Sequence, residues 1–229
     1  MSIAYSDIYT EISNNLQIDT ADRDKFNMQN TVNRAQLLLL NILPAEFITN
    51  AIKTKKLSIF NGESGLQLPD NFIRLEACWI DYVNPITDSN TGTSIRISEV
   101  GDIGLMTNLD TMASKEFPTA SLSAQGGWEI DPIPDADVVN GFRAKYIYML
   151  PDITDTQNCL LRDRLRNLLV FAATAYSAAV NNHDNARSGQ FWDKFTFELE
   201  MLYPNAKSRL RGQYGRFRDY VGGKELLRS

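Results

Sequence analysis

The sequence predicts an α+β protein: mainly an α-helical bundle from the N- and C-terminal segments, with an inserted β-rich region and an extended C-terminal arm. Apolar residues recur at helical spacing near both ends of the chain, whereas glycines, prolines and short alternating runs concentrate in the middle. The last residues are basic and lack any helical period. The predicted organisation is 1–56 and 151–204 for the helical bundle, 57–150 for the β-rich region and 205–229 for the arm.

The N-terminal third is typical of helices. Ile8, Ile12 and Leu16 recur every four residues, which places them on one face of a first helix. A second helix is predicted from about residue 19 to Leu43, with an apolar side that continues through 37–40. Pro44 ends this helix and is well suited to begin a short third one.

The middle third is typical of a sheet. Turn signals at 61–62 and 126–127 separate short runs of β-branched and aromatic residues, and 99–109 reads as a short helix lying on the sheet. The predicted strands are 58–60, 74–82, 94–98, 127–133 and 142–149.

The last third predicts a helical hairpin. Thr154 and Gln157 have the spacing of a capping box, which predicts a helix from 159 to 180. After a polar break, an aromatic helix follows and ends at Pro204. The hairpin needs the N-terminal helices to complete its core. Six residues are predicted to hold this bundle core: Leu161, Leu165, Leu168, Ala172, Phe195 and Leu199.

The bulk composition fits a protein of a reducing cytoplasm. Of the 229 residues, 43% are hydrophobic, which suffices for a real core. Cys78 and Cys159 match no zinc or redox spacing and are expected to be buried thiols. No signal peptide is evident, and the longest apolar stretch has 13 residues where a membrane span needs about 20. No membrane association is expected.

The net charge of −5 is the sum of two parts of the chain with opposite charge. Residues 207–229 carry seven basic and two acidic side chains, a net of +5, and the preceding chain carries 16 basic and 26 acidic ones, a net of −10. The basic segment interleaves arginines, aromatic rings and glycines. Contact with an acidic protein partner is favoured, while single-stranded nucleic-acid contact and a solvated tail remain alternatives. The candidate binding residues are Arg209, Arg211, Tyr214, Arg216, Phe217, Arg218 and Tyr220.

The sequence contains no recognisable set of catalytic residues. The sequence has no phosphate-binding or dinucleotide-binding glycine motif, and its one histidine, His183, rules out a two-histidine zinc motif. The carboxylates at 131, 135 and 137 lie in a proline-rich turn and are typical of solvated loop charges. We therefore expect no catalytic residue, no metal, no cofactor and no enzymatic activity.

Two segments resemble a known family. The segment 68–75, LPDNFIRL, is similar to the L-P-x-D-F-x-R-L pattern that opens the β region of head–tail adaptor proteins from tailed bacteriophages, with its aspartate one residue early. The order of the strand and proline 146–151, the small-residue helix 168–180 and the aromatic helix 191–203 also resembles that family. The similarity covers the order of elements over most of residues 5–205.

The resemblance implies a structural virion protein of a tailed, short-tailed bacteriophage. Such adaptors form a ring, usually a dodecamer, below the portal; the ring extends the DNA channel, lets viral DNA pass without sequence-specific binding and carries tail components. Their C-terminal arms commonly reach the portal protein. The implied partners are the portal, a tail or second ring protein, and further copies of the chain. The implied location is the head–tail junction of the virion, after assembly in the host cytoplasm. Another ring or tail-hub protein of the same virion, or a nucleic-acid-binding protein using the arm, are the alternatives.

Overall fold

The structure is a computed structural model that describes residues 3–19, 21, 27–98, 113–122, 128–180 and 184–203. The chain divides into two compact units. The described residues up to Asn50 and from Pro151 onward form a helical unit, and Ala51–Leu150 form a β unit. The described residues contain four α-helices and eight strands, so the protein is α+β. The predicted predominance of the helical bundle is not supported, because the described residues also form two four-stranded sheets.

The helical unit is organised around one central helix. Helix α3 (Arg166–Val180) contacts each of the other three helices, and from Leu168 to Ala178 every residue except Phe171 is buried. Five alanines in this helix allow its neighbours to approach closely. The four helices are α1 (Tyr5–Leu16), α2 (Met28–Ile42), α3 (Arg166–Val180) and α4 (Asn185–Leu202).

The β unit consists of two sheets packed on a shared core. The first sheet has the order β1-β8-β3-β4 and contains β1 (Ile52–Ile59), β8 (Val138–Tyr148), β3 (Phe72–Ile80) and β4 (Thr93–Ser94). The second has the order β2-β7-β6-β5 and contains β2 (Gly65–Leu66), β7 (Trp128–Asp131), β6 (Thr119–Leu122) and β5 (Arg96–Ser98). All pairs are antiparallel except β5–β6. Phe142, Ile80 and Ile130 are at most 2% exposed in the core between the sheets.

The predicted helix start after Thr154 is wrong. Thr154 and Gln157 instead close a turn, in which the Gln157 N–H donates to the Thr154 hydroxyl oxygen at 3.0 Å. Cys159 then exchanges two backbone hydrogen bonds with Ile3, of 2.9 and 3.3 Å. Because this bridge holds the chain extended at 159, α3 begins only at Arg166, after a single 3₁₀ turn at Asp163–Leu165.

The predicted boundary between the two regions also differs from the structure. No α-helix follows Pro44; a turn and a 3₁₀ turn at Thr49–Ala51 lead directly into β1 at Ile52, five residues before the predicted boundary at 57. Strands β2 and β6 were not predicted, since each is short and lies beside a turn. The predicted helix 99–109 and the turn at 126–127 lie outside the described residues.

Candidate interaction surfaces

The six predicted core residues all lie inside the helical unit. Leu161, Leu165, Leu168, Ala172, Phe195 and Leu199 are each at most 4% exposed. Around them, the rings of Tyr176, Trp192 and Phe195 meet edge to face, with centroids 5.1 and 5.5 Å apart. The six predicted residues therefore belong to the core of the helical unit and are not available to a partner.

Two arginines connect the helical hairpin to α1. The Arg166 guanidinium at the start of α3 pairs with the Glu11 carboxylate. The Arg187 guanidinium in α4 donates to the Leu16 carbonyl oxygen at 2.7 Å. The Asp184 carboxylate accepts from the Arg187 backbone N–H at 2.9 Å and caps α4. These bonds fix the relative positions of three helix ends.

The predicted arm begins directly after a well-anchored residue. Helix α4 ends at Leu202, and the Tyr203 ring lies edge-on to Phe47 with centroids 5.8 Å apart. On the outer side of α4, Phe197 and Met201 are 65% and 69% exposed. The seven candidate binding residues, Arg209, Arg211, Tyr214, Arg216, Phe217, Arg218 and Tyr220, lie outside the described residues.

The first sheet has one strongly basic face. In the cross-strand register, Lys56, Arg143 and Trp79 form one row, and Thr54, Lys145 and Ala77 form the next. Their neighbours along β8 point into the core between the sheets, so these two rows lie on the opposite side. The strands of this sheet carry six basic residues and one acidic residue, Glu76. Lys56, Arg143 and Lys145 lie in these two rows and define what we term the basic face. Lys53 and Lys55 pair with Tyr146 and Ala144, whose side chains point into the core, so they extend from the other side of the edge strand β1. Arg74 is paired with Glu76.

Aromatic rings support several of these cations. The Arg143 guanidinium lies 4.2 Å from the centroid of the Trp79 ring, and the Lys53 ammonium lies 3.9 Å from that of Tyr148. Along β1, Lys53 to Lys56 are all exposed. Within the part of the chain that the structure describes, Lys55, Lys56 and Lys145 have no ion-pair partner. Their positive charges remain uncompensated.

Four segments meet at one end of the β unit, which we term the loop end: 60–64, 81–92, 113–118 and 131–140. The Gly62 N–H donates to the Pro134 carbonyl oxygen and the Tyr82 hydroxyl to that of Pro132, both at 2.8 Å. The Lys115 ammonium reaches the Asp135 carboxylate at 2.6 Å. Through these bonds the loop end forms one continuous surface.

The longest of these segments, 81–92, is organised by the Asp81 carboxylate. It accepts from the backbone N–H groups of Val83 and Asn84 at 2.9 and 2.8 Å and from the Asn90 amide at 2.8 Å. Burial alone would raise the pKa of Asp81, but these hydrogen bonds outweigh it and lower that pKa below its usual value. Ile86, in the middle of the segment, is only 1% exposed. The segment therefore has a defined conformation, held by the hydrogen bonds of Asp81 and by this buried side chain.

The loop end is both acidic and apolar. It carries seven acidic side chains against one basic side chain, Lys115. The acidic ones are Glu63, Asp81, Asp88, Glu116, Asp131, Asp135 and Asp137. It also presents five exposed large apolar side chains, Phe60, Val83, Phe117, Ile133 and Val139, between 42% and 74% exposed. Such a concentration is typical of a protein-binding surface.

Neither surface of the β unit was predicted from the sequence. The lysines of the KTKK run at 53–56 fell within the predicted helical-bundle range 1–56, and the aspartates at 131, 135 and 137 were interpreted as solvated loop charges. The signal was present in the sequence, since all these charges lie near predicted strands. Only the register and the loop connections show that they form two surfaces of opposite sign.

The described residues offer little for catalysis. Burial raises the pKa of the Cys78 thiol to about 12 and that of Cys159 to about 11, so neither is a ready nucleophile. Both cysteines are free and buried, as predicted. No cluster of potential metal ligands occurs among the described residues. None of the described helices combines the length and the apolarity that a membrane crossing requires.

Comparison with known families identifies the protein class. A family model described as SU10 adaptor protein matches residues 3–218, which include both units. The chain belongs to this SU10 adaptor family, and it is a structural head–tail adaptor of a bacteriophage. Among curated proteins, no relative matches the chain.

Proposed function

We propose that the protein forms a ring, a dodecamer, below the portal of a short-tailed phage, where it extends the DNA channel and connects the capsid to the tail. The observation that carries this proposal is the family match, which spans both units and continues to residue 218. In this role the protein is assembled in the host cytoplasm and becomes part of the virion at the head–tail junction. It acts without catalysis and without a cofactor.

The charge of the helical unit supports a role beside DNA. Its described residues carry six basic and eleven acidic side chains. Several of the basic ones are used internally, as in the ion pair between Arg166 and Glu11. A net negative surface repels DNA phosphates, so viral DNA would pass such a wall without sequence-specific binding.

The C-terminal arm is the proposed portal contact. Its arginines and aromatic rings are the residue types that most often anchor protein interfaces. Helix α4 and the contact between Tyr203 and Phe47 give this arm a fixed starting point. The residues proposed to dock on the portal are Arg209, Arg211, Tyr214, Arg216, Phe217, Arg218 and Tyr220.

A truncation tests the arm. We expect a chain ending at Tyr203 to keep its fold, measured by circular dichroism, and to lose binding to purified portal, measured by co-sedimentation. A full-length variant with the four arginines changed to alanine serves as the matched comparison and should bind portal more weakly. Unchanged binding by the truncated chain would refute the assignment of the arm.

Electron microscopy tests the ring, and a DNA titration tests the alternative. Full-length protein mixed with portal should give a second ring coaxial with the portal. If the arm instead binds nucleic acid, affinity for single-stranded DNA should fall steeply as salt rises, and the four-arginine variant should flatten that slope. Weak, salt-independent binding would reject the nucleic-acid alternative.

A further inference from the structure

We infer that neighbouring copies of the chain meet through their β units, with the acidic loop end of one copy seated on the basic face of the next. This inference rests on the proposed ring and names the surfaces that build it. The partner of each surface is thus a second copy of this chain.

Charge complementarity is the first argument. The basic face carries three basic residues, Lys56, Arg143 and Lys145, while the loop end has seven acidic residues and one basic residue. Within the described part of the chain, Lys56, Arg143 and Lys145 on one side and Glu63, Asp88 and Glu116 on the other have no ion pairs. Surfaces of opposite, uncompensated charge attract one another and suppress incorrect pairings.

Apolar contact is the second argument. The loop end projects Val83, Phe117 and Val139, which are 67% to 74% exposed. The basic face contributes the half-buried ring of Trp79, with the Arg143 guanidinium 4.2 Å from its centroid. Tryptophan and arginine are the side chains most enriched at the centres of interfaces, where apolar neighbours exclude water. The two surfaces therefore supply both a charged and an apolar component.

The third argument is that the two surfaces are different. The basic face lies on the side of the first sheet that faces away from the second, and the loop end lies where β1 ends and β8 begins. A closed ring requires two different complementary surfaces on each subunit, because identical surfaces generate only two-fold pairs. One surface at the strand ends and one on the sheet face meet this requirement within a single unit.

Charge reversal tests the contact. The face variant carries Lys56→Glu, Arg143→Glu and Lys145→Glu; the loop variant carries Glu63→Lys, Asp88→Lys and Glu116→Lys. Each is mixed with purified portal, and electron microscopy counts the adaptor copies per portal. Each variant alone should lose the complete ring, with contact between copies weakened more than about tenfold by like charges. The chain with all six changes should form the ring again, because its surfaces are complementary once more.

A matched control carries Asp70→Lys, Asp152→Lys and Asp193→Lys, three exposed carboxylates that belong to neither surface. It has the same charge change as the loop variant and should form complete rings. A second measurement mixes the single variants Lys56→Cys and Glu116→Cys under oxidising conditions, where a disulfide-linked pair of chains is expected. The buried native thiols, with their raised pKa values, should not compete.

The outcomes separate this inference from the proposed ring. A wild-type ring that both reversal variants also form, or a six-change chain that does not restore assembly, overturns the inference and leaves the ring standing. A wild-type chain that binds portal without forming a ring overturns both. If the face variant forms a complete ring but loses salt-sensitive binding to duplex DNA, the basic face binds nucleic acid and the inference is wrong.

Discussion

The helical unit and the β unit use their apolar side chains in opposite ways. In the helical unit, helix α3 is buried along nearly its whole length, and the exposed large apolar residues among those described are Val180, Phe197 and Met201. In the β unit, five such residues gather on the loop end. The difference indicates that the helical unit serves mainly as a scaffold, while the β unit presents a surface for recognition.

The two units also differ in where their charged side chains find partners. In the helical unit, Arg166 forms an ion pair with Glu11, and Arg187 donates a hydrogen bond to the Leu16 carbonyl oxygen. Both partners belong to the same unit. In the β unit, apart from the pairs Arg74–Glu76 and Lys115–Asp135, the basic side chains gather on the basic face and its edge strand, and the acidic ones gather on the loop end. Charge satisfied inside a unit supports its fold, whereas charge held apart on two surfaces is available to another molecule.

The largest effect should come from the interior of the scaffold. Leu168→Ala removes a side chain that is 0% exposed and should lower the free energy of unfolding by about 2–5 kcal/mol, through lost burial and the cavity left behind. Urea unfolding followed by circular dichroism measures this change. Val180→Ala on the same helix, at a site 52% exposed, should change it by less than about 0.5 kcal/mol. Equal effects at the two sites would contradict the central position of α3.

The scaffold was also the part most predictable from sequence. Leu161, Leu165 and Leu168 lie at helical spacing, and the structure buries all three. The exact start of α3 was not predictable, because it depends on the bridge between Cys159 and Ile3, which are 156 positions apart in the chain. Local capping patterns carry no information about such a distant partner.

The interaction surfaces of the β unit were much less predictable. Lys53, Lys55 and Lys56 have low strand propensity, yet they occupy an edge strand whose exposed positions accept charged side chains. The neighbours of Lys56 on the face, Arg143 and Lys145, come from a strand almost 90 residues later in the sequence. A surface assembled by cross-strand register becomes visible only when the pairing is known.

An effect of intermediate size on the free energy of unfolding is expected at two glycines, Gly141 in the β unit, which is tightly packed, and Gly189 in the helical unit, which is not. A Cβ at Gly141 would lie 2.9 Å from the Val138 Cβ and 3.0 Å from the Asp81 carbonyl oxygen, whereas one at Gly189 in α4 would meet nothing within 4 Å. Gly141→Ala should therefore cost about 1–3 kcal/mol by overpacking. Gly189→Ala should gain about 0.5–1 kcal/mol from the better helix propensity of alanine.

Thermal or urea unfolding of the two glycine variants measures both the expected loss of stability and the expected gain. Because both changes add a single methyl group, each variant is the other's control. A stabilising Gly141→Ala would mean that Val138 and the 81–92 segment are free to move apart, and the loop end would then not be the built surface described above.

The smallest effect concerns the acid sensitivity of the loop end. Burial of Asp81 raises its pKa, but its hydrogen bonds with Asn84, Asn90 and Val83 prevail, so the pKa is lower in the folded than in the unfolded chain. The resulting stability is present above the unfolded pKa of about 4 and is lost as the pH falls through the folded pKa. Since the carboxylate is partly exposed, its contribution should remain below about 1 kcal/mol.

Asp81→Asn tests this contribution. The variant should be less stable than the wild type at pH 7, and the difference should shrink as the pH falls from about 5 to about 2, followed by urea unfolding at each pH. Asn90→Ala, which removes the amide that donates to Asp81 at 2.8 Å, should reduce the same pH dependence in part. If the difference in stability between wild type and Asp81→Asn stayed constant across this pH range, the charge of the Asp81 carboxylate would not contribute to stability. Any acid sensitivity of the loop end would then come from its other carboxylates.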